Sequence, residues 1–311
     1  MEKDNELLFG VVIVTYNRLQ LLKECIECVR QQERSFDRAV IVDNCSSDGT
    51  SEYLDSLNGN VAQELNIVHS EKNLGGAGGF YVGIKELYQQ VDYVLVIDDD
   101  AMIDADFLKN IITNMVEGIY AYSGSIITKE NIDTSHRRIL KNSVFMLKSD
   151  VALSGYEQSF FDYDLSTFCG LMVSTDIIRK IGLPRKDYFI WYDDTEYSLR
   201  IRKYTKIRNI NSAQINHKAN SSYTTKLNWK SFYGYRNALD MGIRHSTIPF
   251  FYKWYRLTYH RYRAIEYKIK CLCAKTVETK KYYDYCYNLH MDVIQATKKK
   301  QLGICEKYKP K

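Results

Sequence analysis

Over the first hundred residues, apolar runs of strand length alternate with stretches of helical spacing. Gly10-Val-Val-Ile-Val-Thr-Tyr-Asn-Arg18 opens as a β-branched run and ends in polar residues, which predicts a strand running into a loop. Leu19 to Gln32 then has helical spacing. Ala39-Val-Ile-Val-Asp43 is a second apolar run, closed by the turn-rich Asn44-Cys-Ser-Ser-Asp-Gly-Thr50 before a helical Ser51 to Leu57. A third strand is predicted at Asn66 to His69, followed by Gly75, Gly76, Gly78 and Gly79 and a helix to about Gln90. Tyr93-Val-Leu-Val-Ile97 gives a fourth strand that stops at Asp98-Asp-Asp100. Strand, loop and helix in this recurring order predict an α/β fold with a mostly parallel central sheet and ligands at the carboxyl ends of its strands. Each polar cluster above falls at such an end, where loops far apart in sequence converge.

From 105 to 190 the pattern is mixed, with a helix near Phe107 to Glu117, short strand-like pieces and a strand at Gly170 to Val173. Beyond Lys218 aromatic and basic residues take helical spacing, as in Trp229 to Met241 and Phe250 to Lys270. A domain change is therefore placed near 220, dividing the chain into 1–220 and a helical 221–311.

Composition narrows the class. A chain of 311 residues suits one large domain or two modest ones, and 45% hydrophobic and 26% charged residues with three prolines exclude collagenous or long disordered architecture. There is no run of ~18 apolar residues to span a bilayer, and the acidic Met1 to Leu8 lacks a signal-peptide core, so a cytosolic chain is expected. The eight cysteines are scattered without paired C-x-x-C knuckles, which argues against a zinc site or a disulfide framework. Cys25 and Cys28 fall mid-helix among Leu22, Ile26 and Val29 and read as reduced, packed thiols. The net charge of +5 is unevenly placed: residues 250–311 hold 15 Lys and Arg against 5 Asp and Glu, or +10, leaving −5 for the rest.

Three constellations carry chemistry. Consecutive carboxylates at the end of an apolar strand repel one another unless something positive sits among them. Asp98 and Asp100, two apart in an extended segment, would face one divalent cation while Asp99 points elsewhere; the alternative is a solvated acidic turn or a helix cap. In Trp191-Tyr-Asp-Asp-Thr-Glu-Tyr-Ser-Leu-Arg200, adjacent acids open a predicted helix. One Asp suffices as a cap, and a second, held among Trp191, Tyr192 and Tyr197, has the setting of a general base. The cluster Asn73-Leu-Gly-Gly-Ala-Gly-Gly-Phe80 fails as a dinucleotide fingerprint because Tyr81 stands where a third glycine is needed. It remains a backbone suited to phosphate or sugar at a helix start, or a simple tight turn.

The order of Thr15-Tyr-Asn-Arg18, Val42-Asp-Asn-Cys-Ser-Ser-Asp-Gly-Thr50, Asn73-Leu-Gly-Gly76, Asp98-Asp-Asp100 and Trp191-Tyr-Asp-Asp194 resembles family 2 inverting glycosyltransferases of GT-A fold. Within them it looks most like the galactofuranosyltransferase and rhamnosyltransferase branch, over residues 10 to about 240. The resemblance implies that Thr15, Asn17, Arg18 and Asp43 line a nucleotide, and that Asn73, Gly75, Gly76 and Asp99 border the donor. It further implies that Asp98, Asp100 and His217 hold Mn²⁺ or Mg²⁺, with Asp194 the catalytic base and Asp193 the runner-up. Trp191, Tyr192, Tyr235 and Arg236, the last two within Tyr233-Gly-Tyr-Arg-Asn237, are implied at the acceptor. Larger polymerising members carry a β-domain before the first strand, and with nine residues ahead of Gly10 a single-addition enzyme is expected.

The leading expectation is metal-dependent transfer of galactofuranose from UDP-galactofuranose to a hydroxyl of a lipid-linked cell-surface glycan. Its rivals are dTDP-rhamnose as donor, a nucleotidyltransferase, and an inactive nucleotide-sugar-binding subunit. The aromatic and basic stretch Phe250 to Arg263 is read as a peripheral contact with the inner face of the cytoplasmic membrane or as a homo-oligomer contact. A packed helical cap is the alternative, and nucleic acid is not expected as a partner.

Overall fold

The computed structural model describes residues 7–57, 64–218 and 226–309; the domain change predicted near 220 lies outside them. Two compact units are present: Met1–Ile139, Ser149–Lys186 and Asp194–Ser221 form one, and Leu140–Lys148, Asp187–Asp193 and Ser222–Lys311 the other.

In the first unit β1 (Phe9–Thr15), α1 (Leu19–Arg30), β2 (Arg38–Asp43), α2 (Thr50–Leu57), β3 (Glu64–His69), α3 (Gly75–Leu87) and β4 (Tyr93–Asp98) follow one another as the hydrophobic pattern predicts. Then come β5 (Ala101–Ile103), α4 (Phe107–Thr113), β6 (Ala121–Thr128), β7 (Asn131–Ile132), β8 (Arg137–Asn142), β9 (Leu147–Asp150), β10 (Phe160–Tyr163), β11 (Leu165–Ser166), β12 (Leu171–Ser174), α5 (Thr175–Ile181), α6 (Asp193–Ile201) and β13 (Ile207–His217), of which the end of β8, the start of β9 and Asp193 are assigned to the second unit. The main sheet has the order β10-β13-β6-β12-β4-β1-β2-β3. β3, β2, β1 and β4 are parallel, and β12 runs antiparallel to β4 and β6. Successive strands build outward from β1 in opposite directions, so the crevice beside it is a topological switch point.

Both faces of the sheet are covered, which is why its strands read as unbroken apolar runs. Val11 and Ile13 pack with Leu22, Ile26 and Val29 of α1 on one face, while Val12 and Val14 pack with Phe80, Ile84 and Leu87 of α3 on the other. Full burial of each such side chain contributes roughly 1.5–3 kcal/mol. α3 can lie on β1 only because of its glycines: a Cβ on Gly83 would sit 2.3 Å from Val12 Cγ1, and one on Gly79 would sit 2.4 Å from Val14 Cγ1.

β13 escapes the sequence reading because its pairing with β6 shifts register between Ile210 and Gln214, and a bulge breaks the two-residue alternation that marks a strand. The second unit packs α7 (Trp229–His245), α8 (Pro249–Leu272) and α9 (Val277–Lys299) around Phe189, Phe232, Tyr233, Leu257, Leu289 and Val293. α7 opens with a capping box between Asn228 and Ser231, and α8 with Pro249 in its first turn. α9 falls within the stretch read as helical, and Cys286 and His290 share its buried stripe with Leu289, Val293 and Ile294. All eight cysteines are free thiols. No helix among the described residues is long and apolar enough to cross a membrane.

Candidate active site

Parallel register brings three polar strand ends side by side. Thr15 pairs with Asp43, and Val14 with Asp98. Thr15 Oγ1 donates to Asp99 Oδ2 at 2.7 Å. The guanidinium of Arg18 reaches Asp99 Oδ1 at 3.1 Å and Asp100 Oδ2 at 2.6 Å, from a half-exposed side chain to two carboxylates that are buried. The expected alternation, with Asp98 and Asp100 on one side and Asp99 on the other, does not hold. β4 ends at Asp98, and Asp99 and Asp100 form a turn that presents both to Arg18.

β13 delivers His217 to the same place by pairing it with Ala101. Its Nε2 lies 3.3 Å from Asp100 Oδ1, a buried oxygen with no hydrogen bond among the described residues. His136, which the sequence did not single out, stands edge-on to His217 with ring centroids 5.1 Å apart and meets Thr167 Oγ1 through Nδ1 at 2.8 Å. Burial, then the charges of Asp100 and Asp99, push Asp98 up to about 7 against the opposing pull of His217 and Arg18. Burial also raises Asp99, to about 6, although Arg18 and Thr15 oppose it. Burial works to raise Asp100 as well, yet His217 and Arg18 outweigh it and hold that carboxyl below its ordinary value. Asp98 and Asp99 are thus buried carboxylates without enough positive charge to offset their burial.

Among the described residues, no three His, Cys, Asp or Glu side chains are gathered closely enough to hold an ion by themselves. Asp100 and His217 nevertheless form an arm with an unsatisfied buried oxygen. Hard oxygen donors with one imidazole suit Mn²⁺ or Mg²⁺ when phosphate oxygens complete the shell, so the residues present fit such an ion.

The neighbouring loops are tied to one another. Asp43, 1% exposed, accepts from Ser46 N at 3.0 Å and from Ser51 Oγ, and lies 3.3 Å from His69 Nδ1. Burial acts to raise its pKa, but these hydrogen bonds bring it below the ordinary value. Asn17, at φ 53°, donates its N–H to Ser46 Oγ and accepts from Ser47 N at 2.7 Å. Asn44 Nδ2 donates to Gly75 O, whose own N–H donates to Asn73 Oδ1. The glycine cluster thus splits in two. Gly79 and Gly83 serve packing, whereas a Cβ on Gly76 would meet nothing within 4 Å.

The segment 166–170 joins the aspartate turn to α6. Gly170 N donates to Val96 O, and the Phe168 ring meets Tyr197 of α6 at 5.9 Å. Ser198 Oγ donates to Asp194 O at 2.9 Å, and the Ser166 N–H donates to Ser198 Oγ. Arg137, fully buried, fixes this segment from behind through Gly124 O at 2.8 Å and Cys169 O at 3.0 Å. One short stretch of chain thus touches both β4, at Val96, and the first turns of α6. Asp194 Oδ1 accepts from the N–H and Oγ1 of Thr195, and among the described residues its Oδ2 takes no hydrogen bond.

Within the second unit, Phe189, Trp191 and Tyr192 hold φ of 67°, 65° and 70°. Side chains this large strain the left-handed region, so something must fix them. Asn237 Nδ2 lies 2.9, 3.0 and 2.9 Å from the carbonyl oxygens of Tyr188, Ile190 and Trp191. Arg236, expected at the acceptor, is instead 2% exposed and donates to Gly303 O and Tyr188 O. Tyr235, also expected there, stacks on His290 at 5.2 Å. Trp191 is 47% exposed, with its ring edge against Gly234, and Tyr192 receives the Lys148 ammonium over its ring at 4.9 Å. Asp193 is buried.

Comparison with known proteins adds the family. The sequence is 24% identical over 201 residues to galactofuranosyltransferase GlfT1 of Mycolicibacterium smegmatis, covering 61% of this chain and 64% of the relative. It is 27% identical over 205 residues to GlfT1 of Mycobacterium tuberculosis, covering 63% of this chain and 64% of that one. The match thus spans somewhat under two thirds of these relatives. GalNAc-T7 with UDP, GalNAc and Mn²⁺ superposes with a TM-score of 0.64 at 12% identity, covering 96% of this chain and 58% of that one. Mannosyltransferase PcManGT from Pyrobaculum calidifontis with GDP-Man and Mn²⁺ gives 0.57 at 14%, covering 96% and 88%. These likenesses show the GT-A fold. The model of glycosyl transferase family 2 matches residues 10–179, more than half of the chain, and the chain belongs to that family.

Proposed function

We propose that this chain transfers galactofuranose from UDP-galactofuranose to a hydroxyl of a lipid-linked cell-surface glycan intermediate, by a single inverting displacement at the cytoplasmic face of the membrane. The observation that carries the reading is the carboxyl edge beside β1, where Asp98, Asp99 and Asp100 crowd together against Arg18 and His217. The galactofuranosyltransferases among the relatives supply the donor.

Asp100 and His217, with Asp98 beside them, would hold Mn²⁺ or Mg²⁺; that ion, when bound, neutralises charge on a diphosphate leaving group. Arg18, half exposed and already turned to Asp99 and Asp100, brings a second positive charge to the same phosphates. The loops of Asn17 and Asp43, locked by Ser46 and Ser47, border the nucleoside, and Gly76 leaves room for the sugar. Asp194 takes the proton of the acceptor hydroxyl at Oδ2 while Thr195 holds Oδ1. Positioned base catalysis of this kind contributes roughly 10² to 10⁴ in rate. Displacement from the opposite face turns an α-linked donor into a β-linked product.

The test is nucleotide release and product analysis with UDP-galactofuranose and, separately, dTDP-rhamnose, each with Mn²⁺ or Mg²⁺. Release from the UDP sugar alone is expected; release from the rhamnosyl donor alone reassigns the donor, and turnover with neither removes the transferase reading.

A further inference from the structure

α8 is apolar on two opposite faces. Tyr252, Leu257, His260, Ala264, Tyr267 and Cys271 are buried in the second unit. At the same helical spacing on the other side run Phe251, Trp254, Tyr255, Tyr262, Ile265, Ile269 and Leu272, exposed by 38, 56, 42, 65, 61, 56 and 76%. Within the unit, Phe145 packs edge-on to Phe251 and Tyr255; from Tyr262 onward the row is open. At 1.5 Å per residue, the row from Phe251 to Leu272 runs over about 32 Å. A continuous exposed apolar stripe of this kind marks an interaction surface.

Charge decides the occupant. The helix has six basic residues, Lys253, Arg256, Arg261, Arg263, Lys268 and Lys270, against one acid, Glu266. Arg261 and Lys268, both exposed, border one side of the stripe; on the other, exposed Lys270 pairs with Glu266. A second copy laid antiparallel on the stripe about a two-fold axis would set the Arg261 and Lys268 row against itself. An anionic bilayer is complementary to both parts: tyrosine and tryptophan suit the headgroup level, isoleucine and leucine the acyl boundary, and Lys and Arg the phosphates.

We infer that the outer face of α8, from Phe251 to Leu272, is a docking surface for an anionic lipid bilayer. This deepens the membrane element of the proposed function, and it is tested without turnover. The full chain is sedimented with vesicles of phosphatidylcholine alone or mixed with phosphatidylglycerol, at low and high salt, alongside an Ile265→Glu/Ile269→Glu variant. Leu153→Glu, which removes an exposed apolar residue of the first unit, is the control. Binding to the mixed vesicles should exceed that to phosphatidylcholine roughly tenfold and weaken with salt, and the double variant should lose it by about the same factor. Its thermal midpoint and its binding of UDP with Mn²⁺ should match the parent, and Leu153→Glu should bind vesicles as the parent does. Equal vesicle binding by parent and double variant overturns the assignment. So does the absence of vesicle binding, or a concentration-dependent dimer, seen by light scattering, that the double variant dissociates. Vesicle binding with no affinity for UDP would instead sink the transferase reading and leave this surface standing.

Discussion

Arginine is used in opposite ways at two places in this protein. Arg236, in the helical unit, is buried with its guanidinium committed to the carbonyl oxygens of Gly303 and Tyr188. Arg18, at the edge of the sheet, is half exposed and turned toward two buried carboxylates that have a third beside them. A buried cation whose nitrogens all meet oxygens of its own chain, here main-chain carbonyls and Asn237 Oδ1, is architecture, since little remains for a ligand to satisfy. A cluster where carboxylates outnumber cations, and where Asp100 keeps a buried oxygen unsatisfied, is built for a positive ligand. The difference shows that residue type alone does not separate the two roles; what decides is whether the folded chain closes the hydrogen bonds by itself.

Substitutions break this comparison in order of size. Asp194→Asn should lower turnover by roughly 10³-fold while leaving the unfolding curve and UDP affinity unchanged; parallel loss of stability would make Asp194 a structural cap. Arg236→Met should do the reverse. It leaves carbonyl oxygens buried and unpaired and should cost about 3 kcal/mol in denaturant unfolding, with UDP affinity of the folded fraction retained. A smaller effect comes from His260 and His290, which face each other at 2.9 Å through Nδ1 with both Nε2 atoms buried and unbonded among the described residues. Burial, then His290 and Arg256, bring His260 down to about 3; burial, then Arg263, bring His290 down to about 4, with Glu266 opposing. Both folded values lie below the ~6.5 of a free imidazole. The unfolded chain therefore takes up protons first as pH falls, and the pair's contribution, full well above ~6.5, declines below it by about 2–3 kcal/mol between pH 7.5 and 5.5. Chemical unfolding of the parent and of His260→Leu/His290→Leu across that range checks it: the parent should lose that much stability relative to the variant. Asn228→Ala, which opens the capping box of α7, should cost only about 1 kcal/mol by the same assay.

How much of this was legible in the sequence depends on how local the cause is. β1 to β4 and the helices between them follow from apolar runs and helical spacing, because both faces of the sheet are covered and each strand declares itself. The convergence of Thr15, Asp43 and Asp98 followed from the parallel order. His217 was reached through family resemblance, since its strand is disguised by a bulge at 210–214. The turn at Asp99 and Asp100 was misread as extended because three identical side chains carry no sign of where a strand stops. Arg236 and Tyr235 were implied at the acceptor by the family resemblance of their segment, whereas long-range contacts to Gly303, Tyr188 and His290 fix their place. The 166–170 segment held by Arg137 left no periodic mark at all.

The central claim is that the carboxyl edge beside β1 binds a nucleoside diphosphate through a divalent ion held by Asp100, His217 and Asp98. Calorimetric titration of the whole protein with UDP, with Mn²⁺ and then with EDTA, tests it most directly when repeated on Asp100→Ala. The account predicts binding that requires the ion and weakens at least roughly tenfold, or about 1.4 kcal/mol, in the variant. UDP binding of equal strength in EDTA, or unchanged by Asp100→Ala, would contradict it.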